Sequence, residues 1–175
     1  MHEFESKLAQ IREMVEDLSR SGRAQGPAVQ EVMTPRPSTI SPETSVLEVV
    51  KLIVSKRFRH LLVTDETNRL VGVISDRDLV SCVGPGRDPD KVALAELRAA
   101  DIMSTDLITV GPYTPLADAV IVLVEHGISC LPVLAGESLL GILTSTDLHM
   151  ALAVLLRLFG RFGLATSAVE PAGIV

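Results

Sequence analysis

The chain has 175 residues, 47% of them hydrophobic and 22% charged, a balance that folds into one good core or two small ones rather than staying disordered. Its formal net charge of −6 excludes nonspecific attraction to nucleic acid or to an anionic membrane, each of which needs a basic surface, so any phosphate site has to be local. Cys82 and Cys130 lie in apolar runs and read as small buried hydrophobes, with neither a disulfide framework nor a metal-ligand spacing between them.

The amino terminus, Met1-His-Glu-Phe-Glu-Ser-Lys7, carries neither the basic region nor the apolar run of a signal peptide, and a cytoplasmic location is expected. From Phe4 the apolar residues fall at Leu8, Ile11, Val15 and Leu18, spacings of four, three, four and three that mark one face of a helix. Two heptads are too few for a coiled coil, so this face either docks on the body or forms a short seam against a second subunit. Two glycines and a proline between Ser21 and Pro27 then stop the pattern. Residues 1–26 therefore read as an amphipathic helix and a linker.

A repeat follows. Residues 32–90 form the first copy, 91–101 a connecting segment that includes a helix, and 102–160 the second copy, with 161–175 as a loose tail. Met33-Thr34 corresponds to Met103-Ser104 at an offset of 103 − 33 = 70. Each copy continues with a short β-prone piece (Ser38 to Ile40, Ile108 to Val110), a proline (Pro42, Pro112) and an apolar helix over Val46 to Lys56 or Leu116 to Glu125. Gly127 supplies a left-handed cap after the second of these helices; Arg57 stands at that place in the first, which is expected to end in another way. Two strands around a polar turn come next, His60 to Thr64 with Leu70 to Ile74, and Cys130 to Leu134 with Leu139 to Leu143. A closing helix completes each unit as strand, helix, strand, strand, helix. Units this small are not expected to close a core each, so stacking about a pseudo-twofold axis with pooled sheets is predicted. The second closing helix runs on through Leu155 to about Gly160, too short and too rich in arginine for a membrane span.

Where the closing helices begin, Gly72-Val-Ile-Ser75-Asp-Arg77-Asp78 returns as Gly141-Ile-Leu-Thr144-Ser-Thr-Asp147. A hydroxyl three residues before a carboxylate at a helix start is what a capping box looks like. The same free N–H groups and positive helix end also form an anion site, and finding the pattern twice favours that second use.

With the repeat laid out, the chain resembles a tandem pair of cystathionine-β-synthase (CBS) domains, a Bateman module, over about residues 32–158. The residues that carry the resemblance are Val32-Met-Thr34, Ile102-Met-Ser104, Ile128-Ser-Cys-Leu-Pro132 and the two glycine-to-aspartate segments. It implies an α+β fold of two β-α-β-β-α repeats, here with an extra N-terminal helix, and adenosine-containing ligands in clefts that mix the repeats. One cleft would combine Thr144 and Asp147 with Met33, Thr34, Ser38, Phe58, Arg59 and His60. The other would combine Ser75, Arg77 and Asp78 with Met103, Ser104, Ile108, Ile128, Ser129 and Cys130. In this family pattern the aspartate holds the ribose hydroxyls and the Ser or Thr meets phosphate, while Arg36, Arg59, His60 and Arg77 are available as charge-assisted donors. The ligands implied are AMP, ADP or ATP, ahead of S-adenosylmethionine or a cyclic dinucleotide. Leu62 replaces the Pro132 of the second copy, and Phe58 either stacks on adenine or fills its pocket.

An enzyme is not indicated. His2, His60, His126 and His149 have no metal spacing, no nucleophile elbow is present, and the glycine segments lack the Lys-Ser/Thr of a P-loop. No catalytic residue, metal or catalytic cofactor is expected. The reading is a regulatory adenosine-nucleotide sensor acting on an unidentified protein partner, with a homodimer implied by surplus apolar face on the first and last helices. The alternative is an interaction scaffold of the same fold whose clefts hold no ligand.

Overall fold

The computed structural model describes residues 2–21, 26–83 and 91–161. Part of the expected linker, residues 84–90 and all of the expected tail but Arg161, which ends the last helix, lie outside the described residues. In chain order the elements are α1 (His2–Ser21), a 3-10 turn (Val29–Glu31), β1 (Thr34–Pro35), β2 (Thr39–Ile40), α2 (Val46–Lys56), β3 (His60–Thr64), β4 (Leu70–Ser75) and α3 (Asp76–Val83). The second half runs α4 (Lys91–Glu96), α5 (Ala99–Ile102), α6 (Leu116–Glu125), β5 (Cys130–Ala135), β6 (Ser138–Thr144) and α7 (Ser145–Arg161).

The repeats interleave. One three-stranded sheet has the order β2-β3-β4 and the other β1-β6-β5, so the first repeat's opening strand belongs to the second repeat's sheet. Thr34 lies opposite Ile142 and Pro35 opposite Gly141 in an antiparallel pair. The exchange is mutual: Ser104 bridges Val73, with backbone N···O distances of 2.9 and 3.1 Å. It extends upstream, where Val29 and Gln30 donate to Thr114 and Pro112, while Ala99 and Ala100 donate to Thr44 and Pro42. Glu31 accepts the Ala28 N–H at 2.8 Å and Asp101 accepts the Arg98 N–H at 2.7 Å, closing both opening turns in the same way.

This exchange bears out the expectation that neither unit closes a core alone, and it corrects the expectation that the sheets pool. Val29 and Val32 are buried among Ala119, Leu123, Leu131, Val133 and Leu143 of the second repeat. Leu94 and Ala99 are buried among Val46, Val49, Ile53, Leu61, Val63 and Ile74 of the first. Each repeat thus completes a core with apolar side chains from the segment that leads into its twin, and the two sheets stay separate. A smaller cluster of Leu62, Cys130 and Ile142 joins them.

α1 docks on the body. Ile11 and Met14 are buried with Met150, Ala151 and Val154 of α7, which realises the first of the two uses open to its apolar face. At the end of α2, Arg57 itself takes the left-handed conformation, φ 56°, that Gly127 takes after α6 at φ 62°. The two helices therefore end alike, and a side chain bears the strain that glycine avoids. The Ile108 to Val110 piece is reduced to one bridge, Val110 to Val133. Pro132 accepts the Val110 N–H at 3.1 Å, so its nitrogen faces the same edge, and proline has no N–H with which to extend the ladder.

Candidate functional site

Both glycine-to-aspartate segments cross from a strand end into a helix start, and the two aspartates sit alike. The Asp78 Oδ2 accepts the Ser75 N–H at 2.6 Å and the Ser75 hydroxyl at 2.7 Å. The Asp147 Oδ2 accepts the Thr144 N–H at 2.7 Å and the Thr144 hydroxyl at 2.8 Å. The capping box is real in both copies, and it uses one oxygen of each carboxylate. Both aspartates also line cavities to which the two repeats contribute.

The glycine at the head of each segment has a steric reason. A Cβ on Gly141 would stand 2.9 Å from the Thr34 carbonyl oxygen, and one on Gly72 would stand 2.8 Å from the Met103 Cγ. Without side chains there, the opening segment of the opposite repeat lies directly on the strand and brings Thr34 and Ser104 beside the aspartates.

Two cavities result. The larger, about 340 Å³, is lined by Thr34, Ser38, Phe58, Arg59, His60, Thr144 and Asp147, uniting all but one of the residues assigned to the first cleft. The smaller, about 170 Å³, is lined by Ser75, Arg77, Asp78, Ser104, Ile108 and the Ile128 to Cys130 strand start. Met33 and Met103 do not line either cavity; they pack against the two cores beside Gly141 and Gly72. Arg57 and Ile142 line the larger cavity without having been singled out, because a helix cap and a strand interior carry no ligand signature in sequence. Asp76 and Asp106 likewise line the smaller one.

The walls differ in charge. Arg36, Arg57 and Arg59 line the larger cavity, whereas Asp76, Asp78 and Asp106 line the smaller one beside a single arginine, Arg77. Arg59 is paired with Asp76 at 3.2 Å. His60 and Ser129 line both cavities, and the His60 Nε2 lies 2.9 Å from the Ser129 Oγ. Burial holds the His60 pKa below its ordinary 6.5, against the opposing pull of Asp76. Burial, reinforced by Asp78, pushes the Cys130 thiol up to about 12, which favours the protonated, weakly nucleophilic form at neutral pH.

One contact has no precursor in the sequence reading. The Lys7 ammonium of α1 donates to the Asp147 Oδ1 and, at 2.6 Å, to the Thr34 Oγ1, which itself lies 3.3 Å from the same carboxylate oxygen. Lys7 and Asp147 are 140 residues apart, and no local pattern links them. Among the described residues no cluster of three or more His, Cys, Asp or Glu side chains is placed to hold a metal, and no helix is long and apolar enough to cross a membrane.

Two interleaved repeats, each opening a carboxylate-bearing cleft at their junction, define a class of paired-repeat fold. The chain belongs to the CBS-domain family, whose CBS domain model matches it twice, over residues 29–84 and 99–154. It is similar to the solved structure of CBSX2 in complex with AMP, at 32% sequence identity and a TM-score of 0.62, covering 77% of this chain and 99% of that one. It is also similar to the CBS domain pair of protein MJ0100 in complex with 5′-methylthioadenosine and S-adenosyl-L-methionine, at 26% identity and a TM-score of 0.60, covering 78% and 98%. The inosine-5′-monophosphate dehydrogenase of Nitrosopumilus maritimus (strain SCM1) is 28% identical over 149 residues, 85% of this chain and 27% of its own length. Across four such curated relatives the chain spans between 16% and 35% of their lengths.

Proposed function

We propose that the chain is a regulatory Bateman module that binds an adenosine nucleotide at the junction of its repeats and passes a ligand-dependent shape to a protein partner. The observation that carries this reading is the pair of aspartates that cap their helices with one oxygen and line cavities to which both repeats contribute. A carboxylate oxygen accepts hydrogen bonds from a vicinal diol, and a ligand held by both repeats changes their relative placement when it binds. The AMP complex of CBSX2 and the methylthioadenosine and S-adenosylmethionine complex of MJ0100 support the adenosine class. The arginines of the larger cavity favour AMP, ADP or ATP there, and the acidic wall of the smaller one disfavours phosphate.

The functional unit is a homodimer in this reading. Ile121 and Val124 of α6 and Leu152 and Leu156 of α7 are more than half exposed, an apolar surface that a second copy would cover. The module works in the cytoplasm, where adenosine nucleotides are abundant, and carries out regulation rather than catalysis. Calorimetric titration of the full chain with AMP, ADP, ATP, S-adenosylmethionine and a cyclic dinucleotide tests the ligand class. Saturable binding of at least one of the first three is expected. Binding of none of the five would leave an interaction scaffold in place of a sensor.

A further inference from the structure

The two aspartates are alike toward their own helices and unlike toward the clefts. Among the described residues no hydrogen bond reaches the Asp78 Oδ1, so both its lone pairs are available. The Asp147 Oδ1 already receives the Lys7 ammonium and the Thr34 hydroxyl, and its Oδ2 receives two bonds from Thr144. A carboxylate with four acceptor positions filled has none left for a diol. Asp147 is 3% exposed, so the group that fills its last positions does so out of water, where an ion pair is strongest.

We propose that Lys7 is an intramolecular competitor for the larger cavity: α1 is a strap whose ammonium holds the acceptor a nucleotide's ribose requires, and nucleotide binding there releases it. This rests on the nucleotide reading given above. The strap is anchored by Ile11 and Met14, only one and two turns along α1 from Lys7, so withdrawing the ammonium loosens the docked face against α7. Ligand occupancy at the junction thereby becomes a change in the N-terminal helix, which lies outside both matched CBS domains. The sites are also ordered: an adenosine compound lacking phosphate takes the open Asp78 cavity first, and the larger cavity fills when phosphates gain enough from its arginines to displace Lys7.

The test is calorimetric titration of AMP into the full chain carrying Asp78→Ala, with Lys7 intact or replaced by methionine, which keeps the stem and removes the charge. A strap closed in about nine molecules of ten weakens binding about tenfold, so Lys7→Met should tighten AMP by about that factor. Lys7→Gln, which keeps a donor without the charge, should fall between. In the Lys7 protein AMP should also speed amide exchange across residues 2–21. Unchanged or weaker affinity in Lys7→Met would overturn the strap and leave the nucleotide reading standing, with Lys7 a bystander or a group that positions Asp147. AMP bound by the chain with Asp78 intact but by none of these variants would overturn the strap alone, and AMP bound by neither would overturn both.

Discussion

Arg57 ends α2 at φ 56° while lining the larger cavity, a conformation that costs a side-chain-bearing residue about 1 kcal/mol. Arg57→Gly should relieve that strain and raise the melting temperature by roughly 2 to 4 °C for a chain of this size. If the guanidinium meets phosphate, AMP affinity should fall in the same protein, which a thermal melt and a titration on one preparation will separate. His60 predicts a pH effect. Its folded pKa lies below the unfolded value near 6.5, so the unfolded chain binds more protons once the pH drops through that range. The stability tied to His60 is complete above pH 6.5 and declines below it. Melts at pH 7.5 and 5.5 should show a loss for the wild type that is smaller in His60→Gln; an equal loss would mean that other groups carry the dependence. At this scale the motif residues other than Met33 and Met103 come together around two cavities, those of the larger from four separate stretches. What the sequence missed, Lys7 and Arg57, are placed by tertiary contact and by a backbone angle, and neither leaves a pattern in a linear string.

Among the elements, β1 is two residues long yet fixes how the repeats interlock, and its seat depends on Gly141. Gly141→Ala drives a methyl against the Thr34 backbone, whereas Gly72→Ala meets the flexible Met103 side chain. Both should destabilise by about 1 to 3 kcal/mol. Met103→Ala should recover part of the Gly72→Ala loss, and Met33→Ala should recover little of the Gly141→Ala loss because the carbonyl stays where it is. Chemical denaturation of the four variants checks this; equal recovery at both sites would contradict the backbone assignment. The bounds of α2, β3 and α6 were legible because apolar runs, the prolines before the helices and Gly127 mark them locally. The strand exchange was not, because a two-residue strand or a single bridge has no periodicity and its partner is distant in sequence, as with Thr34 opposite Ile142 and Ser104 opposite Val73. The core-sharing it produces agrees with the expectation drawn from unit size, whereas the pooled sheet drawn from the same expectation gives way to two separate sheets.

For the whole molecule, the reading joins a pair of clefts, an N-terminal strap and an apolar helical surface in one regulatory unit. Leu155 of α7 is 37% exposed between the buried Val154 and the exposed Leu156. Leu155→Asp should convert a dimer to monomer with little change in the melt, measured by light scattering at micromolar concentration; a dimer that persists but melts earlier would place Leu155 in the subunit core. The central claim, that Asp78 and Asp147 exist for a nucleotide as well as for their helices, is tested most directly by the melting shift that AMP produces. At about 100 times its dissociation constant a ligand adds roughly 2.7 kcal/mol to the folded state, which is several degrees for this chain. The wild type should show that shift and the Asp78→Ala, Asp147→Ala double variant should lose most of it while melting slightly earlier without ligand, whereas a full shift in the double variant would contradict the account.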